Sequence, residues 1–268
     1  PDSNQNDLYC IGIGGVGVSA IARIGLHQGR KVFGSDPRSS PLIDDLITAG
    51  ADIVTIPQGD RLHPSMTVVY SDDVPSTNPE RQAAQRLGLR SLSFAEALGA
   101  AMASSEHRIA VAGTNGKSTT TAITGLLLAT GNFDPTVFVG SRLKEFQGNV
   151  RFGGDRYFVA EADEYRDHFL QYHPTLATIT NIELDHVDYF KSLARLIESF
   201  RRFVTPEMTW VANADDRNAL ELWSGRPKTT WFGFGPDADV RVYSWKSRMG
   251  QQEVTLTYQE KIYGPYVL

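Results

Sequence analysis

Apolar positions in this chain fall into short runs, punctuated by glycine turns and by stretches with helical spacing. Leu8 to Ile13 predicts a buried strand, followed at once by Gly12-Ile13-Gly14-Gly15-Val16-Gly17 and a helix to about Gln28. Lys31 to Gly34 predicts a second strand, ending at Ser35-Asp36. Pro41 to Ala49 predicts a helix, with proline in its first turn and Gly50 closing it. Ile53-Val54 and Thr67 to Tyr70 read as strands, and Glu80 to Leu87 and Phe94 to Ala103 as helices. Strands alternating with helices predict an α/β fold with a parallel, doubly wound, Rossmann-like sheet.

The polar stretch Ser104-Ser105-Glu106-His107 reads as a hinge, dividing the chain into domains 1–104 and 105–268. A new sheet opens at Ile109 and runs through a helix after Lys117. Further strands are predicted near Thr136 to Val139, Tyr157 to Ala160, Leu176 to Thr180 and Thr209 to Ala212, with an amphipathic helix from Leu193 to Phe203. Alternation in Val240 to Tyr243 and Val254 to Tyr258 predicts an antiparallel hairpin at a sheet edge. The second domain is therefore expected to be a P-loop ATPase-like α/β domain.

Composition narrows the function classes. The 268 residues suffice for two domains, and 41% hydrophobic with 21% charged residues is a globular balance. A net charge of -5 argues against a nucleic-acid partner. No run approaches the ~18 apolar residues of a membrane span, and no signal-peptide pattern opens the chain. A cytoplasmic protein with no membrane partner is expected. The polar start, Pro1 to Asp7, lacks a methionine and reads as processed or trimmed. The single cysteine, Cys10, permits no internal disulfide and reads as a buried small hydrophobe.

Two glycine loops carry the candidate chemistry. Gly113-Thr114-Asn115-Gly116-Lys117-Ser118-Thr119-Thr120 lies between a strand and a helix, so backbone N–H groups and the helix N-terminus would face an anion. Lys117 would add charge near the terminal phosphates of ATP, and Ser118 a hydroxyl for Mg²⁺. The full Walker pattern would need glycine at 111, where this chain has Val111. Gly12 to Gly17 fits G-x-G-x-x-G, with Asp36 nineteen residues after Gly17. A dinucleotide or any nucleoside diphosphate with a sugar tail would satisfy it; glycines serving turn packing alone would also give the pattern.

Carboxylates and a histidine stand at later strand ends. Glu161, in Glu161-Ala162-Asp163-Glu164, could hold Mg²⁺, although a solvated acidic turn would read the same way. Asp163 and Glu164 read as orienting or surface groups. His186 could bind a second Mg²⁺ or contact the reacting centre, or be structural; His168, His173, His27 and His63 carry no assigned role. Asn213 could line the nucleotide site or cap a turn.

Together these segments resemble the Mur ligase family, the ATP-dependent amide-bond ligases of peptidoglycan precursor synthesis. The resemblance rests on Ile11 to Ala22, Gly34-Ser35-Asp36, Gly113 to Thr121, Glu161 to Glu164, and Thr180 to Asp188, in matching order. It is closest to the branch that joins L-alanine to UDP-N-acetylmuramate. The resemblance implies that Gly14, Gly15, Val16 and Gly17 hold the diphosphate of the UDP-sugar, with Asp36 near its nucleoside and Ser71 near the sugar-nucleotide. It implies that Gly113, Thr114, Asn115, Gly116, Lys117, Ser118, Thr119 and Asn213 bind ATP. Ser118, Glu161 and His186 would hold Mg²⁺, and Lys117, Glu161 and His186 would be the catalytic group. The substrate carboxylate would attack the γ-phosphate to give an acyl phosphate, which the amino group of L-alanine displaces.

Departures from the family pattern also bear on this. The alanine-adding branch typically has His and Thr where this loop has Asn115 and Ser118. Arg201 stands where other branches carry a carbamylated lysine, as in the alanine-adding branch. The family has a third, C-terminal domain, and the chain stops at Leu268, near where a further central segment is expected. Three alternatives remain at this point. One is the recycling ligase that joins a tripeptide to the same UDP-sugar, and another is a non-catalytic nucleotide-sugar-binding module. The last is a nicotinamide oxidoreductase. The oligomeric state is not legible.

Overall fold

A computed structural model describes residues 6–223, 228–248 and 250–267. In chain order the first elements are β1 (Asp7–Ile11), α1 (Val16–His27), β2 (Val32–Ser35), α2 (Pro41–Thr48), β3 (Asp52–Val54), β4 (Met66–Tyr70), α3 (Pro79–Arg86), β5 (Ser91–Ser93) and α4 (Phe94–Ala103). There follow β6 (His107–Ala112), α5 (Lys117–Thr130), β7 (Thr136–Leu143), β8 (Gly148–Arg151), β9 (Tyr157–Glu161) and β10 (Leu176–Ile179). The last are α6 (Val187–Phe190), α7 (Leu193–Phe203), β11 (Thr209–Asn213), α8 (Arg217–Trp223), β12 (Thr229–Gly233), β13 (Val240–Arg248), β14 (Gln251–Tyr258) and β15 (Lys261–Val267).

The chain divides into two compact units. The first comprises the residues up to Glu106, Thr121–Glu161 and Gln171–His173; the second comprises His107–Thr120, Ala162–Leu170 and the residues from Pro174 on. In the first unit the strand order is β3-β2-β1-β4-β5, all parallel. The central strand β1 is covered on both faces, since Leu8, Tyr9, Cys10 and Ile11 are all within 1% of full burial. A parallel strand buried on both sides needs such an unbroken apolar run, and each large side chain contributes about 1.5–3 kcal/mol.

Helix boundaries in this unit follow local chemistry. Ser40 caps α2 ahead of Pro41, and Asn78 caps α3 ahead of Pro79. Ser93 and Glu96 form a reciprocal capping box at the start of α4. A buried carboxylate lies deep inside: Glu80 is fully buried and accepts hydrogen bonds from Tyr9 Oη (2.6 Å) and Ser35 Oγ (2.5 Å). Burial and the Glu80 carboxylate push the Tyr9 phenol far above its usual range. Strand β7 pairs with β9 in parallel and with β8 antiparallel.

In the second unit the strand order is β15-β14-β13-β12-β11-β10-β6. Strands β6, β10, β11, β12 and β13 run parallel, and β13, β14 and β15 antiparallel. The amphipathic α7 turns Leu196, Phe200 and Phe203 inward, where Phe203 stacks on Phe169 at 4.4 Å and meets Trp210 edge-on.

Some boundaries differ from the sequence reading. His107 is the first residue of β6 rather than the end of a hinge. The expected edge hairpin is longer, over β13 and β14, and β15 adds a further strand, so the hairpin is not the edge. Strands β5, β8, β12 and β15 and helices α6 and α8 escaped the pattern, being short, polar or without clear alternation.

Candidate functional site

Strand β6 ends at Ala112 and α5 begins at Lys117, leaving Gly113–Gly116 as the connection. Gly113 sits at φ +125° and Gly116 at φ +83°, conformations that a Cβ disfavours. A Cβ on Gly113 would also lie 2.2 Å from Thr180 Oγ1. The loop therefore needs glycine at both positions, and it presents exposed Asn115 and Gly116 at the start of a fourteen-residue helix. The positive end of the helix dipole there favours a bound anion.

The segment after β10 clamps this loop. The Thr114 amide donates to Asn181 O (2.9 Å), and the Asn115 amide to Asn181 Oδ1 (2.9 Å). Thr114 Oγ1 donates to Glu183 O (2.9 Å) and accepts the Glu183 amide (2.9 Å). Asn213, assigned to the nucleotide, spends its Nδ2 on Thr180 O at 2.9 Å. The carboxyl ends of β6, β10 and β11 are thus tied into one rim.

Lys117 Nζ donates to Gly113 O (2.8 Å) and Thr114 O (3.2 Å), folding over its own loop. It also reaches Glu164 Oε2 at 2.9 Å. Glu164 is fully buried, so of the two expected roles, orienting or surface group, the surface one is excluded: its carboxylate is the counter-charge to Lys117. Desolvation raises the Glu164 pKa despite the Lys117 ammonium beside it.

His186 Nε2 lies 3.9 Å from Glu164 Oε1, and ligand atoms of Asp163, Glu164 and His186 fall within 4.8 Å of one another. His186 takes a left-handed conformation (φ 49°) just before α6, and the Tyr165 ring leans on its imidazole at 4.7 Å. Burial works against ionisation of Asp163, but the His168 imidazole 3.9 Å away, the Tyr165 amide donating to its Oδ1 and the nearby Lys117 charge hold its carboxyl below the usual range. His168, given no role from sequence, is therefore part of this cluster. The two carboxylates are oxygen donors of the kind a divalent cation takes and the imidazole is a softer one, but Glu164 is already the counter-charge of Lys117.

In the first unit Glu161 ends β9, and its Oε2 accepts the Gly140 amide at 2.5 Å. The other glycine loop gathers all its predicted members at the carboxyl end of β1. The Gly14 amide donates to Asp36 Oδ2 (3.0 Å), and the Arg38 amide to Asp36 Oδ1 (3.0 Å). Gly15 caps α1, Val16 is its first residue, and a Cβ on Gly17 would lie 2.7 Å from the Phe94 ring. Ser71 follows β4 beside Gly12, and its amide donates to Ile11 O (3.1 Å). Asp36 is buried and braces the loop from beneath.

Sequence reasoning read Asp163 and Glu164 as orienting or surface groups without linking them to Lys117, and gave His168 and Tyr165 no role; the signal for these two was their place, soon after a buried strand in a parallel sheet. Thr180 and Asn181 were quoted in a motif, but their bonds to the loop are visible only in three dimensions.

Comparison with known proteins adds an independent line. The family model described as "Mur ligase family, catalytic domain" matches residues 7–106, and that described as "Mur ligase middle domain" matches residues 111–264. The UDP-N-acetylmuramate--L-alanine ligase of Acetivibrio thermocellus is 41% identical over 218 residues, covering 80% of this chain and 46% of that protein. That of Caldanaerobacter subterraneus subsp. tengcongensis is 36% identical over 257 residues, covering 95% of this chain and 54% of that protein. The solved structure of UDP-N-acetylmuramate-alanine ligase from Thermotoga maritima matches with TM-score 0.84 at 25% identity, covering 98% of this chain and 60% of that one. The chain spans about half the length of the curated relatives it matches.

Proposed function

The chain belongs to the Mur ligase family, and we propose that the protein it represents is an ATP-dependent ligase joining UDP-N-acetylmuramate to L-alanine in peptidoglycan precursor synthesis. The observation that carries this is the Gly113–Ser118 loop: two positive-φ glycines, a lysine folded over the loop, and a following helix. Relatives named for this reaction, alike over most of this chain, support the choice of substrates.

In this reading residues 105–268 take ATP and residues 1–104 take the UDP-sugar. The turn at Gly116 and the first residues of α5, Lys117 and Ser118, receive the ATP phosphates, and Thr119 lies in the same helical turn; Gly113, Thr114 and Asn115 shape the loop around them. Lys117 neutralises charge on the transferred phosphoryl group. Asn213 acts through Thr180, holding the clamp on the loop. Ser118 and His186 would hold Mg²⁺, and Glu161 keeps the metal-carboxylate role its motif implies. The ion supplies charge neutralisation and in-line placement when bound. Glu164 and Asp163 fix the direction of Lys117 and the imidazole beside it.

In the other domain, Gly14, Gly15, Val16 and Gly17 bring backbone close to the sugar-nucleotide diphosphate. Asp36 sets the loop's shape through the Gly14 amide, and Ser71 stands at the neighbouring strand end. The carboxylate of the muramate takes the γ-phosphoryl group, and the amino group of L-alanine displaces phosphate from the resulting acyl phosphate. Such a reaction takes place in the cytoplasm; among the described residues no helix is long and apolar enough to cross a membrane.

The test uses the full-length protein. ADP release with UDP-N-acetylmuramate, ATP–Mg²⁺ and L-alanine, and none when a tripeptide replaces L-alanine, is the expected result. Turnover with the tripeptide alone would overturn the substrate assignment. Calorimetry of the present chain, with UDP-N-acetylmuramate binding and no NAD⁺ binding, checks the sugar-nucleotide domain separately.

A further inference from the structure

The first glycine loop lies at the carboxyl end of β1, but the opposite end of the same sheet also carries an opening. Between α1 and α4 a cleft of about 360 Å³ reaches down to Leu8 on β1 and Val69 on β4. Its α4 wall carries only small side chains, those of Ala97, Ala100 and Ala101. A volume of this size falls within the range of small-ligand pockets.

The floor is apolar and the mouth is cationic. Arg30 and Arg90 both line the cleft, and Arg30 Nε is bound only to Asn6 O, at 2.7 Å. Among the described residues neither guanidinium has a salt-bridge partner. Burial disfavours the charged form of Arg30; Cys10 and Asp7 favour it, and Arg90 repels it. Two guanidiniums converging on one mouth, each with unused N–H donors, leave a planar anion as the missing counter-charge.

We propose that this cleft binds a small amphiphilic carboxylate, with its aliphatic or aromatic body between α1 and α4 and its carboxylate on Arg30 and Arg90. The polarity is explicit: a neutral apolar molecule would leave the arginines unpaired, and a cation would be repelled. The site is separate from Gly14 and Asp36, which stand at the other end of the strands, and it does not rest on the ligase assignment.

Saturation-transfer NMR on the purified chain tests this with octanoate, octylamine as the charge-reversed probe, and UDP as a competitor. One saturable octanoate site, undisturbed by UDP, is expected. Arg90→Gln, at an exposed position, weakens it about ten-fold or more. Ala101→Trp fills the cleft and removes binding, while the thermal transition of both variants shows that they fold. Absence of octanoate binding at millimolar concentration, equal binding of octylamine, displacement by UDP, or unchanged binding in folded Ala101→Trp would each overturn the proposal.

Discussion

Lys117 Nζ sits 2.9 Å from Glu164 Oε2, and both side chains are withdrawn from solvent, with 13% and 0% exposure. The lysine is thus held by its own loop carbonyls and by a buried carboxylate, and the pair fixes where the ammonium points.

Breaking this pair from one side leaves a buried charge. Lys117→Met is expected to destabilise the chain by about 3–5 kcal/mol and to abolish ATP–Mg²⁺ binding. The double variant Lys117→Met with Glu164→Gln recovers most of the stability but none of the binding. Urea denaturation of the four-member cycle measures the coupling; additive losses would show that the two side chains act independently.

The two loop glycines are predicted to differ. Gly113→Ala combines positive φ with a Cβ 2.2 Å from Thr180 Oγ1, whereas Gly116→Ala meets only the φ penalty in open space. Gly116→Ala costs about 1 kcal/mol, and Gly113→Ala costs more because Thr180 must move. Thermal unfolding ranks them, and ATP–Mg²⁺ titration follows the same order.

Cys10 gives a pH test. Burial pushes its thiol up to about 12, the Arg30 charge offsetting only part of the effect. An unfolded cysteine ionises near ~8.5, so from there to about 12 the native state retains a proton that the unfolded state has lost. Stability therefore falls as pH rises through this window, by up to ~1.4 kcal/mol per pH unit. Cys10→Ala removes that component, and iodoacetamide labels the native thiol at pH 8 only as fast as the chain unfolds.

Asp163 predicts the opposite limb. Its carboxyl is held below the usual range, so its contribution is complete above about pH 4 and is lost as pH falls through its native value. Asp163→Asn should be less stable than wild type near neutrality and converge with it in strong acid. A gap that stayed constant across parallel pH titrations of stability would contradict the argument.

Asp36 is expected to act on the first loop through the backbone. Asp36→Ala removes the acceptor of the Gly14 and Arg38 amides and should weaken UDP binding about ten-fold, with Asp36→Asn retaining part of it. Equal binding by Asp36→Ala and wild type would leave Asp36 with no bearing on the loop.

Much of this was legible because glycine, proline and capping residues act locally. Phe94–Ala103 and Leu193–Phe203 match the expected helices residue for residue. Pro41 and Pro79 open α2 and α3, although α3 starts one residue before the pattern suggested. Short strands such as β5 and β8 were not legible, since a few half-polar residues become a strand only by pairing.

The sequence by itself determined the alternation of elements, the two glycine loops and the residue types at strand ends, because φ preferences, apolar spacing and charge are properties of neighbours along the chain. Tertiary structure alone decided which carboxylate meets Lys117. Glu164 lies forty-seven residues away in sequence, and only the parallel crossover that brings residues 162–164 beside the loop buries it there. It likewise decided that Asn213 bonds to Thr180 and that Asp36 bonds to the Gly14 amide, since a polar group's partner is fixed by what the fold leaves within 3 Å of it.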